Sequence, residues 1–198
     1  TLVRKHTFLI FSARLTVRFF TFPSKEEVKE LLQKMDIRTS HNSEQFRLDR
    51  ECKILFLLYF CCGLRLSEGR LLKWEHIDLD KGILTVLGSK GNKDRLVYLP
   101  QDSLPVLKNY KERQEMLFPG IDWAFPGKDP HKPVSCSGIE SSFNRHWAML
   151  PVARTVDKHP TPHCLRHAFV VERFNEWMHQ GIDTNTMLPY LSRYLGHK

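Results

Sequence analysis

The sequence predicts an α+β domain, mainly α-helical with one small antiparallel β-sheet. Apolar residues recur at helical spacing over most of the chain. The period drops to two only in "GILTVLG" and "RLVYLP", and the polar turn segment "SKGNKD" joins these runs into one hairpin. A chain of 198 residues with 41% hydrophobic content, 13 Phe and 4 Trp can bury one ordinary core and is short for two.

Taken in order, residues 1–22 show no clear period and read as a linker or the remnant of a preceding segment. The start at Thr1 suggests a piece cut from a longer chain. Residues 23–198 are the expected domain. In "FPSKEEVKELLQKM", Ser24 caps a helix with Glu27 three residues on, and Val28, Leu31, Leu32 and Met35 form its apolar stripe. "IRTSHNSEQFRLD" reads as polar loop. "ECKILFLLYFCC" is apolar almost all round, which predicts a central buried helix that Gly63 ends. "LSEGRLLKW" starts a further short helix, and the hairpin follows. "SLPVLKNYKERQEML" is helical, "FPGIDWAFPGKDPHKPVS" is loop, and "SGIESSFNRHWAML" is a helix closed by Pro151. In "TPHCLRHAFVVERFNEWMHQG", Thr161 is the cap, Pro162 takes the first helical position and Gly181 terminates. "TNTMLPYLSRYLGHK" adds a short helix with Pro189 inside it or at its edge.

A formal charge of +8 and a pI near 9.3 point to a polyanionic partner. Nucleic acid comes first, an anionic membrane surface second, and a merely basic globular protein is the bland alternative. No apolar run reaches the roughly 18 residues of a membrane span, and the first residues lack a small-residue cleavage site after an apolar core. The five cysteines, with Cys61 and Cys62 adjacent, show neither disulfide-framework nor CxxC spacing. They read as reduced, packed thiols of a cytosolic protein.

Single positions say little until they are combined. Arg65 follows the Gly63 break and has an ordinary reading as a carbonyl-capping arginine paired with Glu68 at i+3. Lys90, on the glycine-flanked turn, reads as a solvated tip, as does Lys93. His163 and Arg166 share one face near a helix N-terminus, where unpaired N–H groups already favour an anion. Such a pair repels unless an anion arrives. His197 follows Gly196, which permits a tight turn.

In combination, "GLRLSE", the hairpin "SKGNKDRLVYLP", "HCLRH" and "LGH" occur in an order that resembles the catalytic domain of the tyrosine recombinases, or phage integrases, over about residues 24–198. The resemblance implies the DNA breaking-rejoining fold. It carries the first catalytic arginine onto Arg65, the hairpin lysine onto Lys90, the histidine and second arginine onto His163 and Arg166, and the late histidine onto His197, with Glu68 as a supporting residue. It implies a DNA substrate, a 3′-phosphotyrosyl intermediate, no cofactor, and a homo-tetramer on DNA whose isolated fragment can be monomeric. The expected location is cytoplasmic, at the nucleoid of a prokaryote or on a phage or mobile element.

The sequence departs from the family in two ways. The stretch between "LRH" and "LGH" is longer than in many members, and the nucleophilic tyrosine is expected beyond Lys198. Tyr190 and Tyr194 precede the histidine and do not match it. Lys93, Arg95, Lys132, Arg145, Arg154, Lys158 and Arg173 are candidate phosphate contacts. His159, His163 and His167 would align for zinc on an unbroken helix, but Pro160 and Pro162 break that register, so no metal is expected. Competing functions are a non-catalytic DNA-binding protein that kept the fold and a type IB topoisomerase-like enzyme.

Overall fold

The computed structural model describes residues 22–37, 41–89, 93–156 and 158–196. Residues 1–21 of the expected linker at 1–22 lie outside them. Helices α1 (Lys25–Lys34), α2 (Ser43–Cys62) and α3 (Leu66–Arg70) lead into a sheet of β1 (Ile77–Asp78), β2 (Ile83–Ser89) and β3 (Lys93–Tyr98). Helices α4 (Leu104–Leu117), α5 (Cys136–Trp147), α6 (His163–His179) and α7 (Thr184–Tyr194) follow.

Helix α1 starts where the sequence places it. Ser24 Oγ accepts from the Glu27 N–H at 3.2 Å and the Glu27 carboxylate accepts from the Ser24 N–H at 2.8 Å, a reciprocal cap. Val28, Leu31 and Met35 are sealed against the core. Helix α2 is longer than the apolar run suggests. Asn42 Oδ1 accepts from the Glu44 and Gln45 N–H groups, so the first two turns rise out of the segment expected to be loop. A buried polar knot holds that extension: Asp49, 1% exposed, accepts from Ser142 at 2.7 Å and Arg145 at 2.9 Å, tying α2 to α5. Further along, Phe56 meets Phe143 edge-on at 5.5 Å, and Phe143 stacks on Trp147 at 5.9 Å.

The sheet is antiparallel in the order β1-β2-β3. Its third strand, the two-residue β1, is too short to show a period in the sequence. Leu84, Val86 and Val97 are buried on the inner face, whereas Leu96 and Tyr98 are 53% and 64% exposed on the outer one. Arg95 stands opposite Val86 and shares the parity of Val97, so the strand directs it inward.

Gly63 adopts φ 62° and stops α2. A Cβ there would lie 2.6 Å from Phe169 of α6, so the position requires glycine for both its backbone and the close crossing of α6. Among the described residues, no helix is long and apolar enough to cross a membrane. All five cysteines are free thiols.

Candidate active site

The Gly63 turn sets Arg65 at the N-cap of α3, with its backbone extended (φ −72°, ψ 155°). Glu68, three residues on, reaches back to accept from the Arg65 N–H at 2.7 Å and from the Arg65 guanidinium at 2.7 Å. Arg65 is therefore held by its own helix. Its other terminal nitrogen donates to the Gly196 carbonyl at 3.0 Å, 131 residues away in sequence.

Arg166 arrives from the first turns of α6. Its side chain is only 6% exposed and donates to the Gly63 carbonyl and, at 2.8 Å, to the Leu195 carbonyl. One nitrogen lies 3.8 Å from Glu68. Arg65 and Arg166 thus grip consecutive carbonyls of the turn after α7 and face the same carboxylate. The left-handed Gly196 (φ 72°) makes that turn possible.

Arg95 completes the cluster from β3, donating to both Glu68 oxygens at 2.7 and 2.8 Å. Three guanidiniums face one carboxylate, a surplus of two positive charges. Burial raises the Glu68 pKa, but the bonds from Arg95, the Arg65 N–H and the Arg65 side chain outweigh it and bring the value down to about 2. Arg166 is pushed down to about 10 by burial and by the charge of Arg65, and it remains a cation at neutral pH. His163, the first residue of α6, is lowered by desolvation and by the charges of Arg166 and Arg65, so its imidazole is neutral near pH 7.

His167 packs edge-on against His163 at 4.8 Å between ring centres and is lowered by desolvation and by His163. In the sequence His167 stands out only as a member of the excluded zinc alignment. Its i+4 spacing from His163 was the signal for this contact. His159 lies before α6, off its register.

Lys90 and His197 lie outside the described residues. Lys93 opens β3 opposite Ser89, with its side chain outside the description. Of the other candidate phosphate contacts, Lys132 pairs with Asp129 at 3.3 Å, Arg173 pairs with Glu176 at 2.9 Å, and Arg154 and Lys158 are exposed. Arg95 and Arg145 differ from these, because each donates to a buried carboxylate, Arg95 through both terminal nitrogens and Arg145 through one. Tyr194 is no candidate nucleophile in this geometry. Its hydroxyl donates to the Cys62 carbonyl at 3.3 Å, its ring stacks on Phe169, and burial pushes its phenol up.

The model of the phage integrase family matches residues 22–198. The chain belongs to that family. Among relatives of this integrase-family chain, tyrosine recombinase XerA of Pyrococcus furiosus is 33% identical over 176 residues, covering 88% of this chain and 52% of that protein. Tyrosine recombinase XerC of Alcanivorax borkumensis is 34% identical over 149 residues, covering 74% and 46%. The chain spans about half the length of the curated relatives it matches. The crystal structure of XerA recombinase superimposes with TM-score 0.64 at 22% identity over 93% of this chain and 57% of that one. XerH bound to palindromic difH substrate, in a post-cleavage complex, superimposes with TM-score 0.65 at 22% identity over 88% and 45%. The fold expected from the sequence, mostly helical with one small antiparallel sheet, is the fold of these recombinases.

Proposed function

We propose that residues 23–198 are the catalytic domain of a site-specific DNA recombinase or integrase that cleaves and rejoins strands through a 3′-phosphotyrosyl intermediate. The observation that carries this reading is the convergence of Arg65 and Arg166, far apart in sequence, on Glu68 and on the adjoining Leu195 and Gly196 carbonyls.

The chemistry follows from what a phosphodiester needs. Two planar guanidiniums offer paired donors to its non-bridging oxygens and stabilise the charge that grows there in the transition state. A tyrosine hydroxyl beyond Lys198 attacks phosphorus in line, and its proton is taken up with the help of His163, neutral near pH 7. The bond to the 5′ oxygen breaks, and Lys90 gives that oxygen its proton. His197 adds a hydrogen bond to the phosphate. The phosphotyrosyl bond keeps the energy of the diester, so rejoining requires neither ATP nor a metal ion.

Duplex DNA is the partner, with four protomers on the recombining site, and action at the nucleoid follows from that substrate. The net charge of +8 supports a grip on the backbone that weakens with salt. XerH bound to difH substrate and a lambda integrase dimer bound to a COC′ core site are complexes of proteins with this fold.

The test uses the chain carried past Lys198 to include the next tyrosine, incubated with DNA bearing its selected site. A covalent protein–DNA band resistant to denaturant is the expected result. Tight binding without that band would favour the non-catalytic DNA-binding reading.

A further inference from the structure

We infer that Arg95 is a positioning residue: it occupies Glu68 so that the carboxylate does not compete with a DNA phosphate for Arg65 and Arg166. This rests on the recombinase reading.

Strand parity brings Arg95 inward from β3, and its side chain is 10% exposed. Its fork takes both oxygens of Glu68, at 2.7 and 2.8 Å. The same Oε1 receives Arg65 at 2.7 Å, and Oε2 lies 3.8 Å from Arg166. A carboxylate and a phosphodiester present similar oxygen pairs to a guanidinium, so Glu68 is a built-in rival of the substrate. The rival is useful, because it fixes Arg65 through both the backbone N–H and the side chain. Arg95 settles the conflict by giving the carboxylate a third positive charge of its own. Without it, two guanidiniums would face one carboxylate and half of the surplus charge would vanish. Glu68 would then be free to turn both oxygens onto Arg65 and Arg166.

The placement adds a second consequence. Arg95 lies on β3, which follows Lys90 in the sequence, and Glu68 lies on α3 beside Arg65. The Arg95–Glu68 fork therefore ties the base of the hairpin to the helix that presents the first arginine. Contact between Arg95 and a DNA phosphate would require this fork to open.

The experiment compares Arg95→Met, Glu68→Gln and the double variant in the chain carried past Lys198. Arg95→Met is expected to slow adduct formation by about 10–100-fold, less than the roughly 100–1,000-fold for loss of a direct oxyanion donor, because Arg95 acts through Glu68. Its duplex affinity should change by less than about 3-fold, as for a group that touches no phosphate. Measured against the parent at each pH, so that protonation of His163 and His167 cancels, lowering the pH should partly restore the Arg95→Met rate as the released Glu68 takes up a proton, and the double variant should recover most of the loss. A merely structural role predicts neither rescue. A direct phosphate contact predicts a salt slope of binding reduced by about 1, with no rescue by Glu68→Gln. Either result would overturn the inference.

Carbon-13 carboxyl NMR of residues 1–198 adds an arm that needs no cleavage. Glu68 should titrate near 2 in the parent and well above that in Arg95→Met, and an unmoved titration would also overturn the inference. If the parent chain forms no adduct, the recombinase reading falls, while the NMR arm still decides whether Arg95 holds Glu68.

Discussion

Glu51 on α2 and Glu68 on α3 are both shielded from solvent, yet the protein pushes them in opposite directions. Glu51, 4% exposed, has one strong partner: Arg47 donates to one oxygen at 2.6 Å, and the other oxygen has no hydrogen-bond partner among the described residues. Burial prevails over Arg47 and raises the pKa to about 7. Glu68 is almost as sheltered, but a backbone N–H and two guanidiniums bond it, and it falls to about 2. The state of a buried carboxylate thus depends on how many donors the fold aims at it. Around Glu51 one arginine balances one acid. Around Glu68 the fold gathers three guanidiniums on one acid.

The two carboxylates differ most in what their arginines do. In the extended chain, Arg166→Ala should cut adduct formation by about 1,000-fold, the upper range for loss of one oxyanion donor, while duplex affinity largely survives. Arg47→Ala, which strips the other glutamate, should leave the adduct rate within about 3-fold, since it removes no group from the phosphate site. Arg166 also holds the Gly63 and Leu195 carbonyls, so Arg166→Lys is the companion variant. It keeps the charge but loses the planar fork, and it should still lose at least about 10-fold. Gel assay of the denatured adduct, with thermal unfolding alongside, checks both. Equal loss in Arg47→Ala and Arg166→Ala would erase the distinction between the two regions.

A smaller effect lies in stability against pH. Glu68 titrates below its unfolded value of 4.5, so the unfolded chain binds more protons between pH 4.5 and about 2, and stability falls as pH drops through that window. Glu51 titrates above 4.5, so the native state binds more protons between pH 4.5 and about 7, and stability falls as pH rises through that window. Each contribution is on the order of 1–3 kcal/mol. Urea unfolding across pH should show Glu51→Gln removing the loss on the neutral side and Glu68→Gln removing the loss on the acid side. Above pH 7, Glu51→Gln should be neutral or stabilising. Glu68→Gln should be destabilising, because it leaves Arg65, Arg95 and Arg166 together without their anion.

How far the sequence reveals these two regions depends on what kind of signal each residue leaves. Arg65, Glu68, His163 and Arg166 sit at helix starts, where capping chemistry and i+3 spacing are legible, and their order along the chain carries the family pattern. Arg95 leaves no such trace. In "DRLVYLP" the period of two does not say which face is buried, and only the structure shows that Leu96 and Tyr98 face outward while Arg95 joins Val97. The carbonyls of Gly63, Leu195 and Gly196 that orient the two arginines are backbone atoms, which no residue type encodes. The start of α2 at Ser43 was hidden because Asn42, Glu44 and Gln45, which make the cap, are the same polar residues that suggest a loop.

The smallest effect separates arginines that look alike in sequence. Arg154 and Arg145 were both candidate phosphate contacts. Arg154 is exposed at the end of the turn Pro151–Arg154, whereas Arg145 donates to Asp49, whose side chain is 2% exposed. A residue that neutralises a phosphate releases a counterion, so Arg154→Ala should lower the salt slope of duplex binding by about 1. Arg145→Ala should leave the slope unchanged and reduce stability instead, because it deprives a buried carboxylate of its cation. Binding measured by fluorescence anisotropy over a salt series, beside urea unfolding of the same variants, separates the two. A lowered slope in Arg145→Ala would mean that its guanidinium leaves Asp49 for DNA, and the Asp49 knot between α2 and α5 would then have to open when the duplex binds.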